Sequence, residues 1–188
     1  MIISGYQGIG KSSLAGFDGK VIDLESGNFW VDTGDGGKYR SEHWCKTYVN
    51  IACHLSEQGF TVFVSCHREV REELRKRMDE GLCKALVICP SLELKDEWLK
   101  RLEVRFESSK LEKDYRACKN AEENYDRSIT ELIEGELPCL VIKNMDYSLR
   151  EAIFEPLWDN ETIEYIPKKR ITIRMEEFGN AKNVYRPY

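Results

Sequence analysis

Three glycines, a lysine and a serine fall at fixed intervals near the start of the chain. They lie in Gly5-Tyr6-Gln7-Gly8-Ile9-Gly10-Lys11-Ser12, directly after the apolar run Met1-Ile2-Ile3-Ser4. A strand feeding G-x-x-x-x-G-K-S is the pattern of a phosphate-binding loop. Gly5, Gly8 and Gly10 carry no Cβ, so the backbone can approach an anion closely and turn successive N–H groups toward it. A helix beginning near Lys11 aims the positive end of its dipole at the same point. Lys11 adds a mobile charge between the β- and γ-phosphates of a nucleotide, and the Ser12 hydroxyl is a ligand for Mg²⁺. The expected cradle comprises Gly5, Gly8, Ile9, Gly10, Lys11, Ser12 and Ser13. The pattern leaves the side chains of Tyr6, Gln7 and Ile9 unconstrained.

Other residues able to do chemistry follow the ends of apolar runs. Ile22-Asp23-Leu24-Glu25-Ser26 places Asp23 and Glu25 where a strand ends, and ligands of parallel sheets gather at that carboxyl edge. Asp23 there either helps hold Mg²⁺, orients an attacking hydroxyl, or simply caps a turn. Ser65-Cys66-His67-Arg68 follows the run Thr61-Val62-Phe63-Val64, which places a histidine and an arginine just past a strand end. Phe29 and Trp30 are candidates for stacking a base. Trp44 and Tyr48, at helical spacing, read as packing residues. Arg101 and Arg105 lie four apart on one helix face, and Arg116 begins the next helical stretch, three cations able to meet an anionic ligand. The other reading is a solvated face on which Glu97, Glu103 and Glu112 neutralise them. His43, His54 and His67 form no metal-ligating set. Lys143-Asn144 forms a polar strand exit.

These residues need elements to position them. Val21-Ile22-Asp23-Leu24, Thr61–Ser65, Ala85–Cys89 and Cys139–Ile142 join the N-terminal run as five near-continuous apolar segments, the look of strands buried on both faces. Helical stripes separate them: Trp44, Tyr48, Ile51, Ala52 and Leu55 up to Gly59, then Val70 and Leu74. Leu94, Trp98, Leu102 and Phe106 recur every four residues, Ser108-Ser109 interrupts, and Tyr115, Cys118, Tyr125, Ile129 and Leu132 continue to Gly135. The spacing predicts a helical hairpin over about 91–136. Beyond it, 149–154 reads as a short helix, 171–175 as an edge strand, and 155–188 as an extension of unreadable role.

The chain's 188 residues suit a single domain over 1–188. A formal charge of −5 with 32% charged residues gives no signal for coating duplex nucleic acid. Seven cysteines without a C-x-x-C pair, and no long apolar segment, read as reduced thiols in a cytoplasmic protein that does not enter a membrane. No internal repeat or low-complexity tract is visible.

The loop on strand 1, five strands, a helix pair after strand 2, and Arg101-Leu102-Glu103-Val104-Arg105 after strand 4 resemble the adenylate-kinase-like nucleoside monophosphate kinases, in particular the small deoxynucleoside monophosphate kinases of bacteriophage type. The likeness covers about residues 1–145. It implies an α/β three-layer P-loop NTPase fold whose five-stranded parallel sheet has the order 2-3-1-4-5, helices on both faces and a helical lid. It further implies ATP and Mg²⁺, an acceptor site lined by Asp23, Glu25, Trp30, Arg68 and Arg116, and a lid carrying Arg101 and Arg105 to the reacting phosphate beside Lys11. The family's acid at the strand-3 edge is missing: Ser65 or Cys66 stands there, and Asp23 or Glu25 is the natural replacement. The expected reaction is transfer from ATP to a nucleoside or deoxynucleoside monophosphate. The alternatives are a kinase of a hydroxyl acceptor, a small metabolite or polynucleotide 5′-end, with Asp23 as base, and a P-loop NTPase that is not a kinase. No guanine-binding signature or arginine-finger repeat favours the last.

Overall fold

A computed structural model describes residues 1–155 and 161–168. The fold is α/β, with a mostly parallel central sheet and helices. Its described residues group into two compact units, one made of Met1–Gly5 and Lys11–Leu86, the other of Tyr6–Gly10 and the described residues from Val87 onward.

In the first unit, β1 (Ile2–Gly5) and β5 (Thr61–Val64) are buried at every position, and β2 (Val21–Asp23) lies on the far side of β5. All three run parallel, with Ile3 opposite Phe63 and Ile22 opposite Val62. Their lack of alternation follows from burial on both faces, where a polar side chain has no outlet to water. The loop after β1 leads into α1 (Lys11–Phe17). Between β2 and α2 (Trp44–Glu57) an exposed hairpin forms from β3 (Val31–Asp32) and β4 (Lys38–Tyr39). Helix α2 stops at Gly59, whose φ of 88° supplies the left-handed turn back toward β5. It buries Tyr48, Val49, Ala52 and Cys53, whereas Ile51, expected inward, is 38% exposed. The inward stripe is thus rotated from the expected one, with Val49 and Cys53 taking the covered positions. On α3 (Arg68–Asp79), Val70 and Leu74 are buried as the periodicity requires, and the buried Glu73 carboxylate is met by Arg77 one turn on.

In the second unit, the part of β6 (Ala85–Pro90) from Val87 onward runs parallel to β7 (Cys139–Ile142), with Ile88 opposite Leu140. A sixth strand, β8 (Ile163–Ile166), pairs antiparallel with β7. This corrects the expectation of five strands, all parallel. Ile-Glu-Tyr-Ile is only four residues long and half-exposed, so no continuous apolar run announced it. The helical hairpin consists of α4 (Lys95–Ser109) and α5 (Glu112–Glu134), and the short helix α6 is Leu149–Phe154. Trp98, Leu102, Cys118, Tyr125, Ile129 and Leu132 are buried between these elements, while Tyr115 is 41% exposed. The chain reverses at Lys110, which takes a left-handed φ of 54°. The strand expected at 171–175 lies outside the described residues. Among those described, no helix is long and apolar enough to cross a membrane, and all seven cysteines are free thiols.

Candidate functional site

In the first unit, chemistry-bearing residues collect where parallel strands end. Lys11 opens α1 and its Nζ donates to the carbonyl of Gly5, the last residue of β1, at 2.9 Å. One residue on, the Ser12 hydroxyl donates to Asp23 Oδ2 at 2.6 Å. Asp23 closes β2, so the hydrogen bond ties the first turn of α1 to that strand's carboxyl end. Two oxygens of hard character, a hydroxyl and a carboxylate, therefore stand together beside the lysine. No group of three or more His, Cys, Asp or Glu able to hold a metal exists among the described residues.

Tyr48 organises the same edge. Its buried phenol donates to Leu24 O at 2.5 Å and accepts from Ser65 N at 2.9 Å, stapling the end of β2 to the end of β5. Burial pushes this phenol up to about 12, so it remains a donor throughout the physiological range. At the end of β5, burial raises the Cys66 thiol, and Lys11 and Arg71 pull it partly back. His67 lies edge-on to the Trp44 ring; burial pushes its imidazole below the usual value, Arg40 and Lys11 act in the same direction, and Glu69 opposes them. His67 is accordingly neutral at neutral pH, and the positive charge facing this edge belongs to Lys11, Arg40 and Arg71.

Arg68, expected to grip the acceptor, instead pairs with Glu72 at 2.9 Å on an open helix surface, its side chain 79% exposed. The guanidinium nearer the strand end is that of Arg71, whose Nε donates to Cys66 O. Trp30, expected to stack a base, lies 4.4 Å from the Arg40 guanidinium, which is also 4.0 Å from Trp44. Arg40 reaches Ser26 O through Nη2 at 3.1 Å. Phe29 packs edge-on to Tyr48, so this aromatic group is built around one arginine. Glu25 is exposed at the start of the single 3₁₀ turn Ser26–Phe29.

In the second unit, the loop residues Tyr6–Gly10 are fixed by their surroundings. The side chains of Tyr6 and Ile9 are almost wholly buried, Tyr6 meets Tyr125 edge to face, and Gln7 Nε2 donates to Ala117 O on α5 at 2.8 Å. The three positions that the motif leaves unconstrained are thus the loop's anchors. Two further donors reach its backbone: Trp98 Nε1 bonds Gln7 O and Tyr147 Oη bonds Ile9 O, both at 2.9 Å. Their rings stack with 21° between planes, and the Arg101 guanidinium sits 5.2 and 5.4 Å from the two centroids. Trp98 was legible only as a core residue and Tyr147 carried no sequence signal at all.

The other arginines of the hairpin are engaged within it. Arg105 Nη2 lies 2.6 Å from Asp114 Oδ1, and Asp114, itself almost fully buried, also accepts from Ser109 Oγ at 2.6 Å. Arg116 pairs with Glu112 at the surface, and Lys143 pairs with Glu164 across β7 and β8. The Ser108-Ser109 break is therefore closed by a buried polar knot. Because Arg105→Ala leaves a buried carboxylate without its cation, we expect a loss of about 1–3 kcal/mol in urea denaturation, below the cost of a fully buried pair since Arg105 is 43% exposed. A loss under about 0.5 kcal/mol would class the pair with ordinary surface ion pairs.

No protein-family model, curated protein or solved structure matches this chain.

Proposed function

We propose that the chain is an ATP-dependent, Mg²⁺-requiring kinase that transfers a phosphoryl group to a nucleoside or deoxynucleoside monophosphate, on a three-layer P-loop fold with parallel strand order 2-3-1-4-5. The observation that carries this reading is the pairing of Ser12 with Asp23 beside Lys11. In it the loop's hydroxyl, a carboxylate at the next strand end and the loop's lysine come together, which is what binding a metal-bound triphosphate demands. The amides of Gly5, Gly8, Ile9, Gly10, Lys11, Ser12 and Ser13 cradle the donor phosphates, and Lys11 neutralises charge on the group being transferred. Ser12 and Asp23 would hold Mg²⁺, which would supply positive charge to screen the phosphate oxygens. Asp23 thus takes the part that an acid after β5 would otherwise play.

The acceptor is assigned to a phosphate rather than a hydroxyl because Asp23 is committed to Ser12, while guanidinium groups at Arg40 and Arg71 stand near the same strand ends. A phosphate acceptor needs cations and no base. Arg101, lying against the two rings that bond the loop, supplies charge for the transition state; Arg105 serves the hairpin's structure. A panel of ribo- and deoxynucleoside monophosphates with ATP and Mg²⁺, followed by diphosphate formation, tests the reading directly. Turnover of one or more monophosphates is expected. Failure on all of them with ATP still bound points to a hydroxyl acceptor, and failure to bind ATP removes the reading.

Asp23→Asn separates the two acceptor classes. With Asp23 beside the metal, the Mg²⁺ concentration needed for half-maximal rate rises by about 10- to 100-fold, and excess Mg²⁺ restores most of the turnover. With Asp23 as a base, turnover falls at every Mg²⁺ concentration and the rising limb of the pH–rate profile disappears.

A further inference from the structure

The peptide group is planar and trans, so the C=O of one residue and the N–H of the next point in opposite directions. Whatever fixes the carbonyl of Gln7 therefore also aims the N–H of Gly8, and whatever fixes the carbonyl of Ile9 aims the N–H of Gly10. Those two carbonyls are the ones taken by Trp98 Nε1 and Tyr147 Oη, each at 2.9 Å. Gly8 and Gly10 adopt φ values of 86° and 99°, and because glycine has no Cβ its backbone admits other orientations of each peptide plane unless something holds it. Trp98 is completely buried, and a Cβ on Gly8 would meet Leu102 Cδ2 at 3.0 Å and Trp98 Nε1 at 3.2 Å, so the loop lies pressed against α4. Among the described residues, the stacked ring pair directs its hydrogen-bonding groups to these two carbonyls, with the Arg101 guanidinium beside it.

We propose that Trp98 and Tyr147 are positioning residues that act through the loop: by holding the Gln7 and Ile9 carbonyls on one side, they aim the Gly8 and Gly10 N–H groups at the donor's phosphates before the donor arrives. This deepens the reading of the loop as a triphosphate cradle and rests on it. Preorganised donors cost nothing to align when the ligand binds, whereas a loop whose peptide planes flip must be ordered at the expense of affinity. The contribution is directed at phosphate. It should thus appear in the binding of ATP and of inorganic triphosphate alike. The Arg101 guanidinium joins the loop's alignment to the hairpin, because it rests on the two rings that set it. Burial keeps the Tyr147 phenol above its ordinary value against the opposing effect of Arg101, and the hydroxyl stays a donor at neutral pH.

Tyr147→Phe removes one hydroxyl and keeps the ring, its stacking and its packing. Three measurements on the full chain are needed: calorimetric titration with ATP, the same titration with inorganic triphosphate, and the amide signals of ¹⁵N-glycine-labelled protein. We expect about 5- to 10-fold weaker binding of both ligands, the scale of one lost hydrogen bond. The Gly10 amide signal should shift or broaden in the free protein while the Gly16 and Gly19 signals stay in place. Trp98→Phe should act in the same way on Gly8, with an added loss of stability from the smaller ring. Wild-type protein that binds both ligands, beside a Tyr147→Phe variant with unchanged affinities and an unmoved Gly10 signal, would overturn the inference. Wild-type protein that binds neither ligand overturns the phosphate reading of the loop. The Gly10 signal in Tyr147→Phe then still decides whether the ring sets the peptide plane.

Discussion

Lys11→Ala is expected to lower turnover of the best acceptor by on the order of 10² or more, with little change in stability. The two effects separate because Lys11 does different things for the fold and for the chemistry. For the fold it contributes one hydrogen bond to Gly5 O from a half-exposed position at the start of α1. Such a bond is worth about 1 kcal/mol, or roughly 2–4 °C in melting temperature for a chain of this size. For the proposed chemistry it is a full charge placed to meet the negative charge that accumulates on a phosphoryl group in flight. Lys11→Met, which keeps the aliphatic stem, should behave as Lys11→Ala does, because the stem has no part in either effect. Lys11→Arg should recover only a fraction of the rate, since a planar fork on a longer reach does not present a point charge to the same oxygen. Steady-state rates with ATP and Mg²⁺, beside thermal melts of each variant, read both quantities. Turnover within threefold of wild type for Lys11→Ala would remove the lysine from the catalytic machinery.

How much of this arrangement could be read in the sequence depended on whether a residue's role was set locally or by distant neighbours. The start of α1 at Lys11 was legible because strand, glycines and lysine are consecutive, and local spacing dictates the turn. The buried strands β1, β5, β6 and β7 were legible from unbroken apolar runs. Asp23 was legible as a strand-end acid, but its bond to Ser12 depends on β2 and α1 lying side by side, which no spacing encodes. Arginines were the least legible. Arg68 and Arg71 differ by less than one helical turn, yet one faces water with Glu72 and the other reaches Cys66 O. Arg105 has the same type and spacing as a charge-delivering residue, and a buried Asp114 nine positions away decides otherwise. Tyr147 lies in an irregular stretch after β7, where neither periodicity nor motif assigns a side chain; only its long-range bond to Ile9 reveals its role. The short antiparallel β8 escaped notice for a related reason, since its stability comes from pairing with β7 and not from its own four residues.

Gly8→Ala should be the most damaging change within the loop, and a series of three glycines shows why. At Gly8 an added methyl meets two obstacles at once, a φ of 86° that L-residues rarely adopt and the close approach of Leu102 and Trp98. Strain at such a φ costs about 1–3 kcal/mol and overpacking a further 1–3 kcal/mol, so a total of roughly 2–6 kcal/mol is expected. The chain can meet that cost by losing stability or by lifting the loop away from α4, which breaks the Trp98 bond to Gln7 O and scatters the N–H donors. The two losses should therefore be read together, as denaturation free energy and as ATP affinity, with affinity falling by about 10² or more where the loop lifts. Gly10→Ala faces only the first obstacle, since φ is 99° but the nearest atom, Leu149 Cδ2, is an ordinary 3.8 Å away. Its total should come to about 1–3 kcal/mol. Gly16, inside α1 with open space where its Cβ would stand, has neither obstacle. There alanine should stabilise the protein by about 0.5–1 kcal/mol, because it restricts the unfolded chain and favours the helix. The order Gly8, Gly10, Gly16, with a change of sign at the last, follows from crowding and backbone conformation acting as separate terms. Equal losses at Gly8 and Gly10 would mean that Leu102 and Trp98 yield freely, and that α4 does not hold the loop in place.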